Sequence, residues 1–520
     1  MDGARFWIAG AALAAACIRP GAYPCARDSQ CDAAPSGVFV QPEGYCSYVD
    51  DECDSGLRFE SRAPGGLAGT CVEPETNAGT TGEVPPPGSS TSDGDPDSES
   101  EAESTAGPPA CGGAHEPCCD NATCEEGTEC FGQACSCLLW AIVGDFHSCV
   151  VRIDRRLECW GGNVSQELGR DDLGQFSPTP GPVVGLPQPL FFESAQARRH
   201  TCVVALGGAT YCWGDNAFGQ VNPDAPATAV GTATDVGATL GLGFATERVG
   251  VGSAHTCVAG EGHMFCWGNN DGGQLGWSVG DEPEEVDLSA LPGPVTEIAA
   301  GLLHTCVRTG FEDEPNADTH AVYCWGYDEL GYLGTGPTDT TSLAPVPTLL
   351  DDNLAFRSIN ASDTHTCVVA FEPDTPDDRV VLCWGDDTRG GVTGAAGGLE
   401  PTPIPVPGLV PGRWEEVFAG DGRTCATNEN DEVWCWGNNE LGISDPDSSA
   451  QIVPPTVVDT LGSLDTFVFN VGVGLAHSCG VATDGTVACW GCGALGQLGE
   501  SSPFCDENGG QWAAVRSQCE

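Results

Sequence analysis

The chain has 520 residues and a formal net charge of −56, from 75 acidic side chains against 19 arginines and no lysine. A charge this negative repels phosphate backbones and anionic lipid, which excludes a nucleic-acid-binding surface and a polybasic membrane contact. Thirty cysteines indicate an oxidising compartment, and 72 glycines with 38 prolines suit many short strands joined by turns.

The N-terminus reads as an export signal over 1–17. An apolar run from Phe6 to Cys17 follows Arg5 and is too short to span a bilayer as a helix. Its end, Leu13-Ala14-Ala15-Ala16-Cys17, resembles a bacterial lipoprotein signal, in which the cysteine is lipidated. The leucine stands four residues before Cys17 rather than three. A plain A-x-A cleavage at Ala14-Ala15-Ala16 is the alternative. Either way the mature chain is expected to be exported, as an outer-membrane or cell-surface lipoprotein or as a secreted protein. Contact with the membrane is expected only through that lipid.

Residues 18–72 hold Cys25, Cys31, Cys46, Cys53 and Cys71 without apolar periodicity, which suggests a small disulfide-held module. Residues 73–110 contain no aromatic, cysteine or basic residue. Their Pro, Ser and acidic content predicts a disordered, charge-extended linker. Residues 111–137 carry seven cysteines, and the adjacent pair Cys118-Cys119 resembles the knottin pattern.

From residue 138 the chain repeats itself. Seven times a His-Thr/Ser-Cys segment is followed by Cys-Trp-Gly, from His147-Ser148-Cys149 with Cys159-Trp160-Gly161 to His477-Ser478-Cys479 with Cys489-Trp490-Gly491. The sixth unit has Arg423 in the histidine position. Successive first cysteines are 53, 55, 49, 61, 58 and 54 residues apart. Glycines recur in register, three residues before the histidine (Gly144, Gly252, Gly301) and six after the tryptophan (Gly219, Gly273, Gly331). A site that recurs as glycine needs a positive φ or the close approach of another segment.

The pattern G-x-x-H-T-C … C-W-G-x-N-x-x-G-Q-L-G resembles the repeat of the RCC1 (regulator of chromosome condensation) family. The resemblance covers 138–520. It implies an all-β fold, a seven-bladed β-propeller preceded by the small disulfide-rich modules and the acidic linker.

Hairpin geometry bears on the cysteines directly. In the seventh unit a three-residue loop, Thr483-Asp484-Gly485, sets Val481 opposite Val487, Gly480 opposite Ala488 and Cys479 opposite Cys489. A non-hydrogen-bonded pair has its Cα atoms about 4.5 Å apart, within disulfide range. In the third unit a two-residue Glu261-Gly262 turn sets Cys257 opposite Cys266. One disulfide per blade is expected: Cys149–Cys159, Cys202–Cys212, Cys257–Cys266, Cys306–Cys324, Cys367–Cys383, Cys425–Cys435 and Cys479–Cys489. The tryptophans, on the opposite strand face from the cysteines, are expected between blades. The histidines are expected to make structural hydrogen bonds.

Units four and five carry longer turns at the same rim, rich in carboxylates: Glu312, Asp313, Glu314 and Asp318, then Asp374, Asp377 and Asp378. They offer oxygen ligands for Ca²⁺ or a face for a basic partner, although solvated loops are the plainer expectation and no other cofactor is indicated. The chain enters the ring at Trp140, on the strand before the first histidine. Residues 510–516 are therefore expected to return and supply the outer strand of that blade. Odd cysteine counts suggest one bridge from Cys519 to Cys135 or Cys137.

No catalytic signature appears. The function expected is a monomeric, exported, surface-tethered scaffold that engages an extracellular protein or glycan through rim loops. The alternative is a propeller enzyme, a lyase or glycan hydrolase with a central-channel site. The resemblance also implies guanine-nucleotide exchange, which the charge and apparent export oppose. Carboxylates from different blades converging at the channel mouth would favour the enzyme.

Overall fold

The computed structural model describes most of 138–499, with short breaks that include 312–318, 459–467 and 483–485, and the backbone of 511–516. Before residue 138 it describes short backbone segments. The chain divides into two compact units, 1–106 and 107–520. In the first, Val38–Val40, Tyr45–Val49 and Leu57–Phe59 form a three-stranded antiparallel sheet. The expected signal with Cys17, the acidic linker, the acidic turn Glu312–Asp318, the turn at 483–485 and the Cys519 bridge lie outside the described residues.

The second unit is a seven-bladed propeller of four-stranded antiparallel sheets. The first blade runs Leu138–Val143, His147–Arg152, Leu157–Gly162 and Phe176–Pro182. The seventh runs Val468–Val473, His477–Ala482, Thr486–Gly491 and Gln511–Arg516. The first strands of successive blades touch one another all round the ring and so line its channel.

Each second strand faces its third with the cysteines directly opposed, as in Cys202↔Cys212 and Cys257↔Cys266. Their sulfurs are bonded in all seven blades, with Cα atoms 4.0–4.2 Å apart. In the third blade both turn residues, Glu261 and Gly262, have positive φ, the twist a two-residue hairpin turn requires. The seven Cys-Trp-Gly tryptophans are buried to 1 % or less and pack in clusters that join neighbouring blades.

Ring closure differs from the expectation for 510–516. The first blade has its own outer strand, Phe176–Pro182, and Gln511–Arg516 is the outer strand of the seventh, with Trp512 opposite Trp490. The outer strands escape a hydrophobic-pattern reading because they are rich in proline, as in FSPTPGP and LEPTPIP. Proline is tolerated there because an edge strand has one side without ladder bonds. Arg170 holds the first such strand by donating to the carbonyls of Cys159, at 3.0 Å, and Thr179, at 2.9 Å. The ring therefore closes by packing of blade seven on blade one: Val481, Val487 and Leu498 against Ala141, Val143 and Trp160.

Candidate functional site at the channel mouth

The recurring histidine is tied to the next blade. Its Nε2 lies 2.7 Å from Thr201 Oγ1 for His147, 2.6 Å from Thr256 for His200, and 2.8 Å from Thr305 for His255. His304 pairs with Thr366 at 2.9 Å and His365 with Thr424 at 2.6 Å. His477 reaches Ser148 at 2.7 Å and completes the circle across the ring's seam. The hydroxyls of Thr256, Thr305 and Thr424 donate in turn to the carbonyls of Gln220, Gln274 and Gly391, each at 2.8 Å. With the hydroxyl proton so committed, the imidazole Nε2–H must be the donor. The same carbonyls accept Trp267, Trp325 and Trp436 Nε1, each at 2.9 Å. Burial holds these imidazoles neutral: His147 and His304 are lowered to about 4, and His200, His255 and His365 to about 3.

The glycine three residues before the histidine leaves room for this ring. A Cβ on Gly252 would stand 2.3 Å from His255 Cε1 and 2.6 Å from the carbonyl of Gly301 in the next blade. The fifth unit has Ser362 there, and its hydroxyl lies 2.9 Å from His365 Nδ1. The glycine six residues after the tryptophan answers the other requirement, with φ of +78° at Gly219 and +79° at Gly273.

Blade six breaks the belt. Arg423 is fully buried and donates to the carbonyl of Ile443, and to those of Gly474 and His477 at 2.7 Å. Burial lowers its guanidinium to about 9. Ile443 stands seven residues after Trp436, the place where Gln220 and Gln274 stand in their units. With Arg423 on that carbonyl, Trp490 Nε1 and Ser478 Oγ of blade seven are left without hydrogen-bond partners.

The turns that precede the histidines converge on the channel. Two residues before the belt position stand Asp145, Arg198, Ser253, Leu302, Asp363, Asp421 and Leu475. Arg198 of blade two forms an ion pair with Asp363 of blade five. These blades are not neighbours, so their side chains meet across the opening. Ser253 donates to Asp363 Oδ1 at 2.5 Å, and Arg198 Nη2 donates to Ser253 at 3.3 Å. Arg198 Nε lies 3.6 Å from Asp145 Oδ1, and neither atom has a hydrogen-bond partner. Burial raises the Asp145 carboxyl, while Arg198 lowers it. Arg389 pairs with Asp421 at the edge of the same opening.

Deeper in, Glu297 sits on the innermost strand of blade four. Its Oε2 accepts from Arg308 Nε and from the Ile359 amide, both at 3.1 Å. Burial pushes its carboxyl up to about 7 against the pull of Arg308. Carboxylates from several blades do converge at the channel, the observation expected to favour an enzyme, but those at the mouth are engaged by arginines.

The acidic turn of blade five lies at the other end of the ring. Asp377 is paired with Arg413 at 2.9 Å, and Arg379 donates to Pro376 O at 2.9 Å. Among the described residues no group of three or more His, Cys, Asp or Glu side chains is placed to hold a metal ion. Sequence reasoning missed the mouth residues. They occupy a position of the turn that does not repeat, and the pairing of Arg198 with Asp363 joins blades that are not neighbours.

A model of the regulator of chromosome condensation (RCC1) repeat matches residues 261–308 and 320–369, and a second of the same description matches 414–443. The ultraviolet-B receptor UVR8 of Arabidopsis thaliana is 27 % identical over 259 residues, which are 48 % of this chain and 54 % of that protein. The mitochondrial RCC1 domain-containing protein RUG3 of the same plant is 28 % identical over 270 residues, 49 % of this chain and 56 % of its own. The chain thus spans about half the length of these relatives. Yeast Prp20p, studied for its binding to Gsp1p and histones, superposes with a TM-score of 0.54 at 21 % identity, over 65 % of this chain and 80 % of its own. Human WBSCR16 gives 0.54 at 20 % identity, over 69 % and 93 %. At such identities the likeness to the two structures concerns the fold.

Proposed function

We propose that this chain, a propeller built of RCC1 repeats, is an exported, surface-tethered scaffold that binds an extracellular protein or glycan. An RCC1-like propeller is in general a protein-binding scaffold. Prp20p, which shares this fold, is a binder of Gsp1p and histones. The observation that carries the reading is the belt. A disulfide staples each blade internally, and the tryptophans, the belt histidines and Arg423 tie each blade to the next, so the loops at both ends stand on a rigid ring. Export is supported by the bonding of all fourteen blade cysteines and by the apolar run that ends at Cys17.

The test uses the full chain as immobilised bait on extracellular material from its host. Saturable retention of a protein or glycan is expected; recovery of small cations alone overturns the reading. Tethering is tested by metabolic labelling with a fatty acid. Incorporation lost in Cys17→Ala supports the lipid, and unlabelled wild-type protein refutes it.

A channel enzyme is the second reading, favoured by Glu297. A carboxyl near neutrality inside a channel suits general acid–base work. Glu297→Gln should then abolish turnover of a glycan panel without lowering the melting temperature. Equal turnover by the variant removes this reading.

A further inference from the structure

We propose that the channel mouth receives an arginine or lysine side chain from a protein partner. This rests on the scaffold reading and names the chemistry of what docks. Three carboxylates, Asp145, Asp363 and Asp421, face two guanidinium groups, Arg198 and Arg389. The mouth therefore keeps one net negative charge after its internal pairing. Asp145 is 5 % exposed and its Oδ1 has no hydrogen-bond donor. A buried acceptor without a donor is costly, and a cationic group brings several N–H donors at once. Asp363 and Asp421 stay partly open to solvent, with side chains 25 % and 22 % exposed, so an entering cation meets both.

The surroundings identify the source of that cation as a protein. Seven turn carbonyls bond the backbone at or just past the ends of the third strands, as in Phe146 O with Gly162 and Ala254 O with Asn269, so these loops share one face. Six of the ten large apolar side chains left exposed belong to this face: Val164, Phe176, Phe218, Leu302, Leu343 and Leu399. Apolar contacts around a charged anchor are the anatomy of a protein interface rather than of a pocket for a free amine. The net charge of −56 steers basic partners toward the chain and acidic ones away. Arg198 is itself held by Asp363 and Ser253 and Arg389 by Asp421, so both of these guanidinium groups are already paired with carboxylates.

The probe is acetyl-Leu-Arg-Leu-amide, with its citrulline counterpart as the uncharged control, titrated into the full chain at low salt. The wild type is expected to prefer the arginine peptide by about tenfold, roughly what one charge-assisted hydrogen bond contributes. Asp421→Asn, which leaves Arg198 paired, should reduce that preference. Leu302→Arg, which sets a resident guanidinium at the mouth from an exposed position, should abolish it. Neutralising Glu372, Asp374 and Asp378 at the opposite end should leave it intact. Equal binding of the two peptides by the wild type overturns the proposal, as does a preference that survives both mouth variants with unchanged melting temperatures. The scaffold reading fails separately. If bait and mouth variants retain the same partner equally, the scaffold stands and the mouth inference falls. If the bait retains nothing while the peptide preference holds, the reverse is true.

Discussion

Two positions in the same turn, two residues apart, have opposite characters. The histidine position is six parts uniform, fully buried and bonded to the next blade. The position two residues before it in the G-x-x-H turn varies from Asp145 to Arg198 to Leu302, and Arg198 and Ser253 there reach Asp363 across the channel. The hydrogen bond between adjacent blades has the same geometry at six of the seven junctions, so histidine serves all of these, and Arg423 bridges the remaining one. A contact across the opening differs for every pair of blades, so no one residue type fills the position. The ring is thus built on the constant position and differentiated on the variable one.

Acid should break the constant position first. The unfolded imidazoles titrate near 6.5, whereas burial lowers His147, His200, His255, His304 and His365 to about 3 to 4. Below pH 6.5 the unfolded chain binds protons that the folded chain refuses, so stability is full above 6.5 and falls as the pH drops toward 4. Each histidine contributes up to about 1.4 kcal/mol per pH unit in that window. Melting temperature followed from pH 7.5 to 4 checks this, and a flat profile would show that the belt histidines titrate as they do in the unfolded chain.

Removing one blade staple, Cys257→Ser with Cys266→Ser, should cost about 2–3 kcal/mol in a denaturant titration. Thr256→Val should cost about 1–3 kcal/mol, because it strips an acceptor from His200 and a donor from Gln220 O. Ser253→Ala, three residues earlier at the mouth, should cost about 1 kcal/mol or less. Equal losses from these last two would erase the distinction between belt and mouth. The smallest effect expected is a gain. Arg423→His should free the Ile443 carbonyl for Trp490 and Ser478 and raise stability by about 1 kcal/mol. A loss there would mean that the three carbonyls held by Arg423 matter more than the two donors it orphans.

Much of the ring could be read from residues alone, because its constant positions carry local rules. The spacing of Cys257 and Cys266 follows from a two-residue turn, and the pairing in the structure has that register. The tryptophans had to lie on the strand face opposite the cysteines. Proline concealed the outer strands, since Phe176–Pro182 carries a turn-like composition in a ladder edge. The belt's direction was hidden because half its acceptors are backbone carbonyls, which leave no mark in a sequence. The mouth was hidden for a different reason. Arg198 and Asp363 are 165 positions apart and belong to no shared pattern.

The seventh blade's own outer strand has a consequence beyond this chain's stability. Because every blade is finished within one stretch of sequence, a cut between blades leaves no sheet with a missing member. A circular permutant opened between Ala361 and His365 would divide a turn inside a blade, whereas one opened after Val286 would separate two whole wedges. Recombination at such junctions exchanges complete wedges, each bringing its own staple, its own belt bond and one new side chain for the mouth.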